Sequence, residues 1–358
     1  MKKFTLAGLF ALCTAFFPGL SAAASRTFIM GVWPNRLRLF DEATETFVGE
    51  IPLRYGAVTS YGETPHTTDY KKLFYVTDRM EAVEVVDPEK RAVVDELRLS
   101  TPGRQVRIFN VFPDGDGKIL YLRVSSVDVG TDRFEPDDAE FVAYDLEAHQ
   151  VKDNFRLPRE VDSGSMAPLE VSADGGSFYV FGKDIYRLRA SDRTILDKIP
   201  LSHPMAAGYG PLQAAALFEA RPGILYGMYA TVDPVFKKRM SGVYEIDLAK
   251  RDVETFELGP SVEANTFVLS ADGKTAYAGP KDLLKIDMTS RRVVMMKKGF
   301  EQGRTNNTLI VSTDGRKLYV TGVGNRLQVV DTDTLEPTGS IPAGGDIMSP
   351  ALAIPARP

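Results

Sequence analysis

Residues 312–320 read Ser-Thr-Asp-Gly-Arg-Lys-Leu-Tyr-Val, an Asp-Gly turn followed closely by an apolar run. The same phrase returns at Ser270–Gly273 and at Ser172–Gly175, and a looser copy stands at Pro113–Gly115. Asp-Gly between two β-rich runs is a strong hairpin signal, because glycine accepts the positive φ that a tight turn requires. The recurrence predicts that one hairpin-containing unit repeats along the chain.

A second phrase follows the copies: a β-rich run that ends in aspartate, a short turn and a further strand. Such runs end at Asp87, Asp145, Asp247, Asp287 and Asp331. The spacing is close to constant, with 42 residues between Asp272 and Asp314 in the first phrase. No segment shows the 3.6-residue period of a long helix. Four short strands in about forty residues are typical of a β-propeller blade.

Counting these units predicts an all-β, seven-bladed β-propeller made of four-stranded antiparallel blades. Six units are expected at residues 64–99, 106–157, 168–201, 213–258, 265–297 and 308–341. Residues 27–53 hold the later strands of a blade without the first, and Pro350–Pro355 reads as one inner strand. We expect this C-terminal strand to join the N-terminal blade, because closing the ring leaves no open sheet edge.

Residues 1–24 predict a signal peptide that precedes the propeller domain at residues 25–358. Two lysines follow the initiating methionine, an apolar run covers residues 4–17, and small residues at 21–24 suit signal peptidase. We therefore expect the mature chain in the bacterial periplasm. No later run reaches about 18 apolar residues, so no membrane span is predicted.

Cysteine content and charge exclude several classes of function. Cys13 is the only cysteine and lies in the predicted signal peptide, so the mature chain is expected to have no disulfide, no thiolate metal site and no haem attachment sequence. The formal net charge of −5 combines 48 acidic with 43 basic residues in an interspersed order. Because there is no basic stripe with interleaved aromatic residues, no nucleic-acid partner is expected.

Two units carry insertions between their second and third strands, at residues 125–140 and 231–240. In a propeller these loops lie on the same face as the connections between blades, where ligands and partners usually bind. We therefore predict a docking face on this side. Surface insertions that are tolerated without a function remain the alternative.

Polar groups that precede inner strands are the candidate cavity or interface residues. They are expected either to ring the mouth of the central channel or to close strand ends with hydrogen bonds. The set is His66, Arg107, Met166, Gln213, Asn265, Asn306 and Asn307. The three histidines lie on different units and no G-x-S-x-G sequence is present, so no catalytic, cofactor-binding or metal-binding residue is predicted.

Two acidic stretches offer either a cation site or a structural role. Asp114–Gly117 occupies the Asp-Gly turn of the repeat and lacks a glutamate at the twelfth loop position, so a turn is favoured over a calcium loop. The first insertion carries Glu135, Asp137, Asp138 and Glu140, which could bind a cation or a basic partner. A solvated acidic loop is the favoured interpretation of these carboxylates.

Several segments carry a family resemblance: Arg26–Met30, Leu97–Pro102, Phe134–Pro136, Gly182–Tyr186, Asp197–Pro200 and Val311–Gly315. They resemble the β subunit of quinohemoprotein amine dehydrogenases and, more distantly, the heavy chain of methylamine dehydrogenases. The resemblance covers essentially the whole mature chain and implies a seven-bladed periplasmic propeller.

The resemblance implies a non-catalytic subunit of a periplasmic complex that oxidises primary amines to aldehydes and ammonia. It implies a cysteine tryptophylquinone on a small partner subunit, haem c on another subunit, and the amine bound at the interface. Trp33 is the only tryptophan, and a tryptophan-derived quinone needs a second tryptophan or a cysteine. The redox centres are therefore expected on partners, and Trp33 is expected to pack on a blade face or at an interface.

Two other classes of function remain open. A lactonase-like propeller hydrolase would need acids and histidines that converge on the channel, and the scattered histidines count against it. A periplasmic binding or assembly propeller with an unknown partner would need neither a cofactor nor redox subunits.

Overall fold

The computed structural model describes residues 26–56, 64–130, 133–137, 140–161, 169–172, 174–182, 184–201, 213–221, 223–260, 264–280, 282–298, 306–322 and 324–355. One short 3-10 turn at Asp78–Met80 is the only helical element among them. No helix in these ranges is long and apolar enough to span a membrane. The predicted signal peptide at residues 1–24 and the candidate Met166 lie outside the described residues.

Twenty-eight strands follow one another along the described residues. The first eleven are β1 (Thr27–Val32), β2 (Arg36–Asp41), β3 (Thr46–Pro52), β4 (Leu73–Thr77), β5 (Ala82–Asp87), β6 (Ala92–Arg98), β7 (Arg104–Pro113), β8 (Ile119–Val129), β9 (Phe134–Pro136), β10 (Glu140–Asp145) and β11 (Gln150–Phe155). The next eight are β12 (Leu169–Val171), β13 (Ser177–Phe181), β14 (Ile185–Arg189), β15 (Ile195–Ile199), β16 (Gln213–Arg221), β17 (Ile224–Val232), β18 (Arg239–Asp247) and β19 (Asp252–Pro260). The last nine are β20 (Ala264–Leu269), β21 (Thr275–Pro280), β22 (Leu283–Asp287), β23 (Arg292–Lys297), β24 (Asn306–Val311), β25 (Lys317–Gly322), β26 (Arg326–Asp331), β27 (Pro337–Pro342) and β28 (Leu352–Ile354).

These strands form seven antiparallel sheets, which confirms the predicted seven-bladed propeller. From the inner to the outer strand, blade 1 has the order β28-β1-β2-β3, and blades 4 to 7 take four consecutive strands each from β12 to β27. Blade 3 has the order β7-β8-β10-β11, with the short β9 paired to β8. Within each blade we call the strands A to D, from the channel outward.

Blade 2 differs from the predicted four strands. Among the described residues its sheet contains β4, β5 and β6, and the inner segment contributes one bridge, between His66 and Leu73. Beside the bridge, the Phe74 N–H donates a hydrogen bond to the Pro65 carbonyl at 2.9 Å. Proline has no N–H to donate in return, so Pro65 limits the length over which this segment can pair.

The C-terminal strand closes the ring as predicted. β28 pairs antiparallel with β1, so that Leu352 lies opposite Ile29 in the ladder. The segment before β28 adds a bridge between Val32 and Ile347. Both ends of the chain therefore belong to one sheet, and opening the ring at blade 1 would break ladder hydrogen bonds and expose a sheet edge.

The connections divide between two faces of the ring. Turns from strand A to B and from strand C to D lie on one side, which we call the lower face. Loops from strand B to C, and from each strand D to the next blade, lie on the opposite, upper face. The Asp-Gly turns of the repeat join strand A to strand B and therefore lie on the lower face.

The core among the described residues consists of seven apolar clusters, one between each pair of neighbouring blades. Successive side chains of a strand point to opposite faces of its sheet. In β1, Phe28 and Met30 pack in the cluster against blade 7, whereas Ile29 packs in the cluster against blade 2. Strand B is therefore buried on both faces, which explains its continuous apolar sequence.

One residue in each C-to-D turn has a positive φ, between 50° and 61°. In blade order these residues are Glu45, Arg91, His149, Arg193, Arg251, Arg291 and Leu335. A left-handed backbone costs about 1–2 kcal/mol for residues other than glycine. Three of them form ion pairs with strand D of the preceding blade: Arg193 with Asp153, Arg251 with Asp197, and Arg291 with Glu254.

The junction between blades 7 and 1 depends on a carboxylate, Glu42, which is 8% exposed. It accepts hydrogen bonds from Arg26 Nε at 3.1 Å and from the Thr313 hydroxyl at 2.7 Å. Burial by itself would raise the pKa of Glu42, but the hydrogen bonds from Arg26 and Thr313 and the charge of Arg26 together lower it. The ionised form of Glu42 therefore stabilises the closed ring.

We expect Glu42→Gln to destabilise the propeller near neutral pH and to have little effect in acid. A carboxylate with a lowered pKa in the folded chain stabilises the fold above its unfolded value of about 4.3 and loses this contribution as the pH falls through the folded value. At about pH 7 the free energy of unfolding should fall by about 1–2 kcal/mol. Urea midpoints of both proteins near pH 7 and near pH 3 measure this. An equal difference at both pH values would contradict it.

Candidate functional site

Large apolar side chains that remain exposed fall into two groups. Six lie on outer strands D, where single exposed side chains are ordinary: Val48, Val94, Val151, Leu196, Val294 and Met296. The other six all lie on the upper face: Trp33, Val129, Val232, Val235, Phe236 and Met348. Among the described residues, no exposed large apolar side chain lies in a turn of the lower face. The docking role of the upper face stays a prediction, and the exposed apolar side chains away from the outer strands lie on that face.

Blade 5 extends above the ring on the upper face. All four of its strands have nine residues, whereas those of blade 6 have five or six. β18 and β22 both end at the aspartate of their lower-face turn, Asp247 and Asp287, so the additional residues of β18 point upward. Four residues at about 3.3 Å each add about 13 Å. The insertion at 231–240 thus continues strands B and C as a projecting hairpin.

The tip of this hairpin is an ordered turn that holds two apolar side chains in solvent. The Asp233 carboxylate accepts hydrogen bonds from the N–H groups of Val235 at 2.8 Å and Phe236 at 2.7 Å. The Lys237 N–H donates to the Asp233 carbonyl at 3.0 Å. Val235 is 76% exposed and Phe236 73%, the highest values among the large apolar residues described. The turn presents an apolar apex that no other described segment covers.

Three consecutive cations, Lys237, Lys238 and Arg239, follow the apolar pair. All three are exposed, and none forms an ion pair within the described part of the chain. Residues 235–239, which we call the blade 5 tip, therefore combine an apolar apex with positive charge that the described residues do not neutralise.

The other insertion carries carboxylates that are bound within blade 3. β8 continues into this insertion and pairs with β9. Arg104, at the start of β7, binds Asp128 at 2.9 Å and Asp137 at 2.6 Å, and lies 3.9 Å from Glu140. Hydrogen bonds from Arg104 and from the Ser126 hydroxyl lower the pKa of Asp137. The acidic loop is therefore organised around one arginine instead of being solvated throughout.

Five of the predicted channel residues lie in the upper part of inner strands. Gln213 begins β16, Asn265 is the second residue of β20, and Asn306 and Asn307 begin β24. Arg107 is the fourth residue of β7, and its side chain is exposed. The topology thus brings these positions to the same end of the channel wall, in blades 3, 5, 6 and 7.

His66 lies apart from this group. It belongs to the inner segment of blade 2, but its ring stacks on Tyr70 in the A-to-B turn of the lower face, at 4.1 Å between ring centroids. Its Nδ1 lies 2.9 Å from the Thr67 carbonyl. These contacts hold the ring against its own turn. Trp33 is 51% exposed on the upper face, and its packing on a blade face or at an interface stays a prediction.

A feature that sequence reasoning missed is a β-bulge near the upper end of four inner strands. Register shifts leave Phe109, Ala215, Asn265 and Asn307 without a directly opposed residue in strand B. Bulges are frequent beside binding sites, where they redirect side chains. Two of the four bulged residues belong to the predicted channel set, and no local sequence signal marks the bulges.

Outside the two hairpins, the shifted pKa values of several aspartates and tyrosines follow from turn geometry and burial. Asp174, Asp272 and Asp314 each accept a hydrogen bond from the serine two residues earlier in a lower-face turn, which lowers the pKa of each aspartate. Burial raises the pKa of Tyr75 and Tyr244. Within the described ranges, no group of three or more His, Cys, Asp or Glu side chains could hold a metal ion.

Among the comparisons with known proteins, the one with solved structures supports the fold. No protein-family model and no curated protein matches the sequence. Among solved structures, the dihydro-haem d1 dehydrogenase NirN in complex with DHE has a TM-score of 0.57 at 14% identity, covering 92% of this chain and 75% of that chain. Apo AztD from Citrobacter koseri has a TM-score of 0.52 at 13% identity, covering 92% and 99%. Kuenenia stuttgartiensis hydrazine synthase has a TM-score of 0.51 at 12% identity, covering 84% and 90%. At such identities the likeness shows the propeller fold alone.

Proposed function

We propose that this chain is a non-catalytic propeller subunit that docks redox proteins on its upper face. The complex we propose is a periplasmic quinohemoprotein amine dehydrogenase, which oxidises primary amines to aldehydes and ammonia. In this proposal the cysteine tryptophylquinone and haem c belong to partner subunits, and the chain itself carries no cofactor.

The observation that carries the proposal is the one-sided exposure of apolar surface. The six large apolar side chains exposed away from the outer strands all lie on the upper face, in blades 1, 3 and 5. Exposed apolar surface rimmed by polar residues is typical of protein interaction sites. Two long hairpins on the same face extend the contact area beyond the ring, as a scaffold for other subunits requires.

We place the amine-binding cavity at the channel mouth, between the upper face and the small partner subunit. Gln213, Asn265, Asn306 and Asn307 lie at the upper ends of their strands, and amide side chains can both donate and accept hydrogen bonds. Such groups suit a polar cavity wall. Arg107 carries the same charge as a protonated amine, so we assign it to a contact with a partner carboxylate and not to the substrate.

The structural neighbours support the coarser part of the proposal. One is a dihydro-haem d1 dehydrogenase and another is hydrazine synthase, so the fold occurs in proteins of redox chemistry. The amine dehydrogenase assignment itself rests on the resemblance of segments such as Arg26–Met30 and Val311–Gly315.

Tagged chain captured from the periplasm of its source should bring with it a haem-bearing subunit and a small quinone-bearing subunit. We expect a haem absorption spectrum, and reduction of that haem when a primary amine is added. The chain purified alone is the control and should show neither signal. Captured partners without haem or quinone would contradict the assignment and favour a binding or assembly propeller. Lactone hydrolysis by the chain alone would favour a hydrolase.

A further inference from the structure

The blade 5 tip is fixed by contacts within the chain itself. Hydrogen bonds from Val235 and Phe236 to the Asp233 carboxylate fix the turn, and nine-residue strands support it on both sides. A preorganised loop loses less conformational entropy on binding than a flexible one. Large apolar side chains that enter a pocket of the partner contribute most of the binding energy in many interfaces. Val235 and Phe236 have the position and the exposure of such anchors.

The positive charge beside these two side chains favours a partner whose surface is negatively charged. Lys237, Lys238 and Arg239 are adjacent and exposed, and within the described residues they pair with no carboxylate. Arg193 and Arg251, by contrast, each bind a carboxylate of a neighbouring blade. Three neighbouring cations attract a complementary negative surface, which speeds association and orients the partner.

We propose that Val235 and Phe236 insert into an apolar pocket on a partner protein, and that carboxylates at the rim of this pocket pair with Lys237, Lys238 and Arg239. The inference rests on the proposed function, because it names the surface by which the chain holds its haem-bearing partner. The blade 5 tip is then an anchor for the complex, separate from the channel mouth where the amine is placed.

A protein partner fits the upper face better than an anionic lipid surface does. The blade 3 hairpin also projects on this face, and its exposed carboxylates Asp128 and Glu135 are 52% and 60% exposed. Its described residues, 125–130, 133–137 and 140, include four carboxylates and one arginine, so it is negative overall. A flat anionic membrane attracts basic segments and repels acidic ones, whereas a protein can complement both hairpins.

The test measures the affinity of the purified chain for the purified haem-bearing partner obtained by capture. Phe236→Ser should raise the dissociation constant at least about tenfold. Lys237→Glu with Lys238→Glu should do the same at about 50 mM salt and have a much smaller effect at about 0.5 M salt, where surface charges are screened. All variants should keep the thermal midpoint of the native chain, because these side chains are exposed.

Matched controls alter equally exposed residues elsewhere. Val294→Ser changes an outer-strand side chain that is 56% exposed. Lys274→Glu with Arg316→Glu reverses two exposed cations in lower-face turns. Both controls should bind the haem-bearing partner like the native chain. Equal affinity of the tip variants and the controls would overturn the inference while leaving the proposed function in place.

Two further outcomes separate the proposals. If the native chain captures no haem-bearing protein, the proposed function fails, and the anchoring role of the blade 5 tip fails with it. Vesicles of phosphatidylglycerol and phosphatidylcholine provide the second arm. Sedimentation of the native chain with these vesicles that is lost in Phe236→Ser, together with an unchanged affinity of that variant for the haem-bearing partner, would overturn the protein pocket in favour of a membrane surface.

Discussion

A chain that ends at Pro342 should lose most of its stability and unfold or aggregate. It lacks β28 and the side chains of Ala343, Ile347 and Ala351, which are buried between blades 7 and 1. The loss of β28 also leaves the inner edge of β1 without its partner strand. Burial of one isoleucine contributes about 1.5–3 kcal/mol, and whole domains are stable by only about 5–15 kcal/mol. We expect the free energy of unfolding to fall by more than about 5 kcal/mol.

Urea unfolding followed by circular dichroism measures this loss. The matched control is a chain that ends at Pro355, which removes three residues and keeps β28. The control should unfold at the same urea concentration as the full chain. A chain ending at Pro342 with the same midpoint would mean that the ring holds without its C-terminal strand.

Gly242→Ala should destabilise the propeller by about 3 kcal/mol, the upper end of the range for overpacked cores. Gly242 lies in β18, directly beneath the ring of Tyr229 and close to the Phe256 carbonyl of the adjacent strand, so an added Cβ would overlap both. Tyr229 is 1% exposed and packs against Tyr244 at 5.0 Å between ring centroids, so it has little room to move. The backbone of strand D cannot retreat without breaking its pairing with β18.

Gly103→Ala is the matched control for this substitution, because an added Cβ there would meet no atom within 4 Å. Thermal unfolding of the two variants should show a clear decrease in midpoint for Gly242→Ala and almost none for Gly103→Ala. Equal midpoints would mean that Tyr229 can leave its position above Gly242 at little cost. Because Gly242 lies in β18, which supports the blade 5 tip, its substitution should also disturb the conformation of the tip.

The family resemblance and the structure agree on a seven-bladed propeller closed by its C-terminal strand. Amine oxidation, export to the periplasm and redox cofactors on partner subunits stay predictions. The structure adds the position of the exposed apolar side chains, which lie on the upper face. The predicted insertions are the two hairpins of the upper face, where five of the predicted channel residues also lie.

The number of blades could be predicted from the sequence because each hairpin signal is local. Closure could be predicted because one incomplete blade and one strand without a partner were left over. An Asp-Gly turn folds a hairpin from neighbouring residues, so each copy of the phrase marks a strand pair independently of the others. Residues 27–53 lacked an inner strand and Pro350–Pro355 lacked a partner. Pairing the two was the arrangement that left no open edge, and the structure has it.

Other features were decided by tertiary packing. Arginine has no local preference for a positive φ, so the backbone of Arg193 and Arg251 could not be predicted. Both arginines form ion pairs with the preceding blade, which depend on tertiary packing. Pairing of the inner segment of blade 2 is limited at Pro65, which has no N–H to donate to a ladder.

Turn chemistry and apolar alternation in the sequence determined that this protein is a series of β-sheet blades, since both act between residues near in the chain. Only the tertiary structure decided which apolar residues remain in solvent. Phenylalanine is a residue type usually found in the core. Phe236 is nevertheless 73% exposed, because the four long strands of blade 5 carry their hairpin above the ring. Exposure depends on what else packs nearby, and no local pattern contains that information.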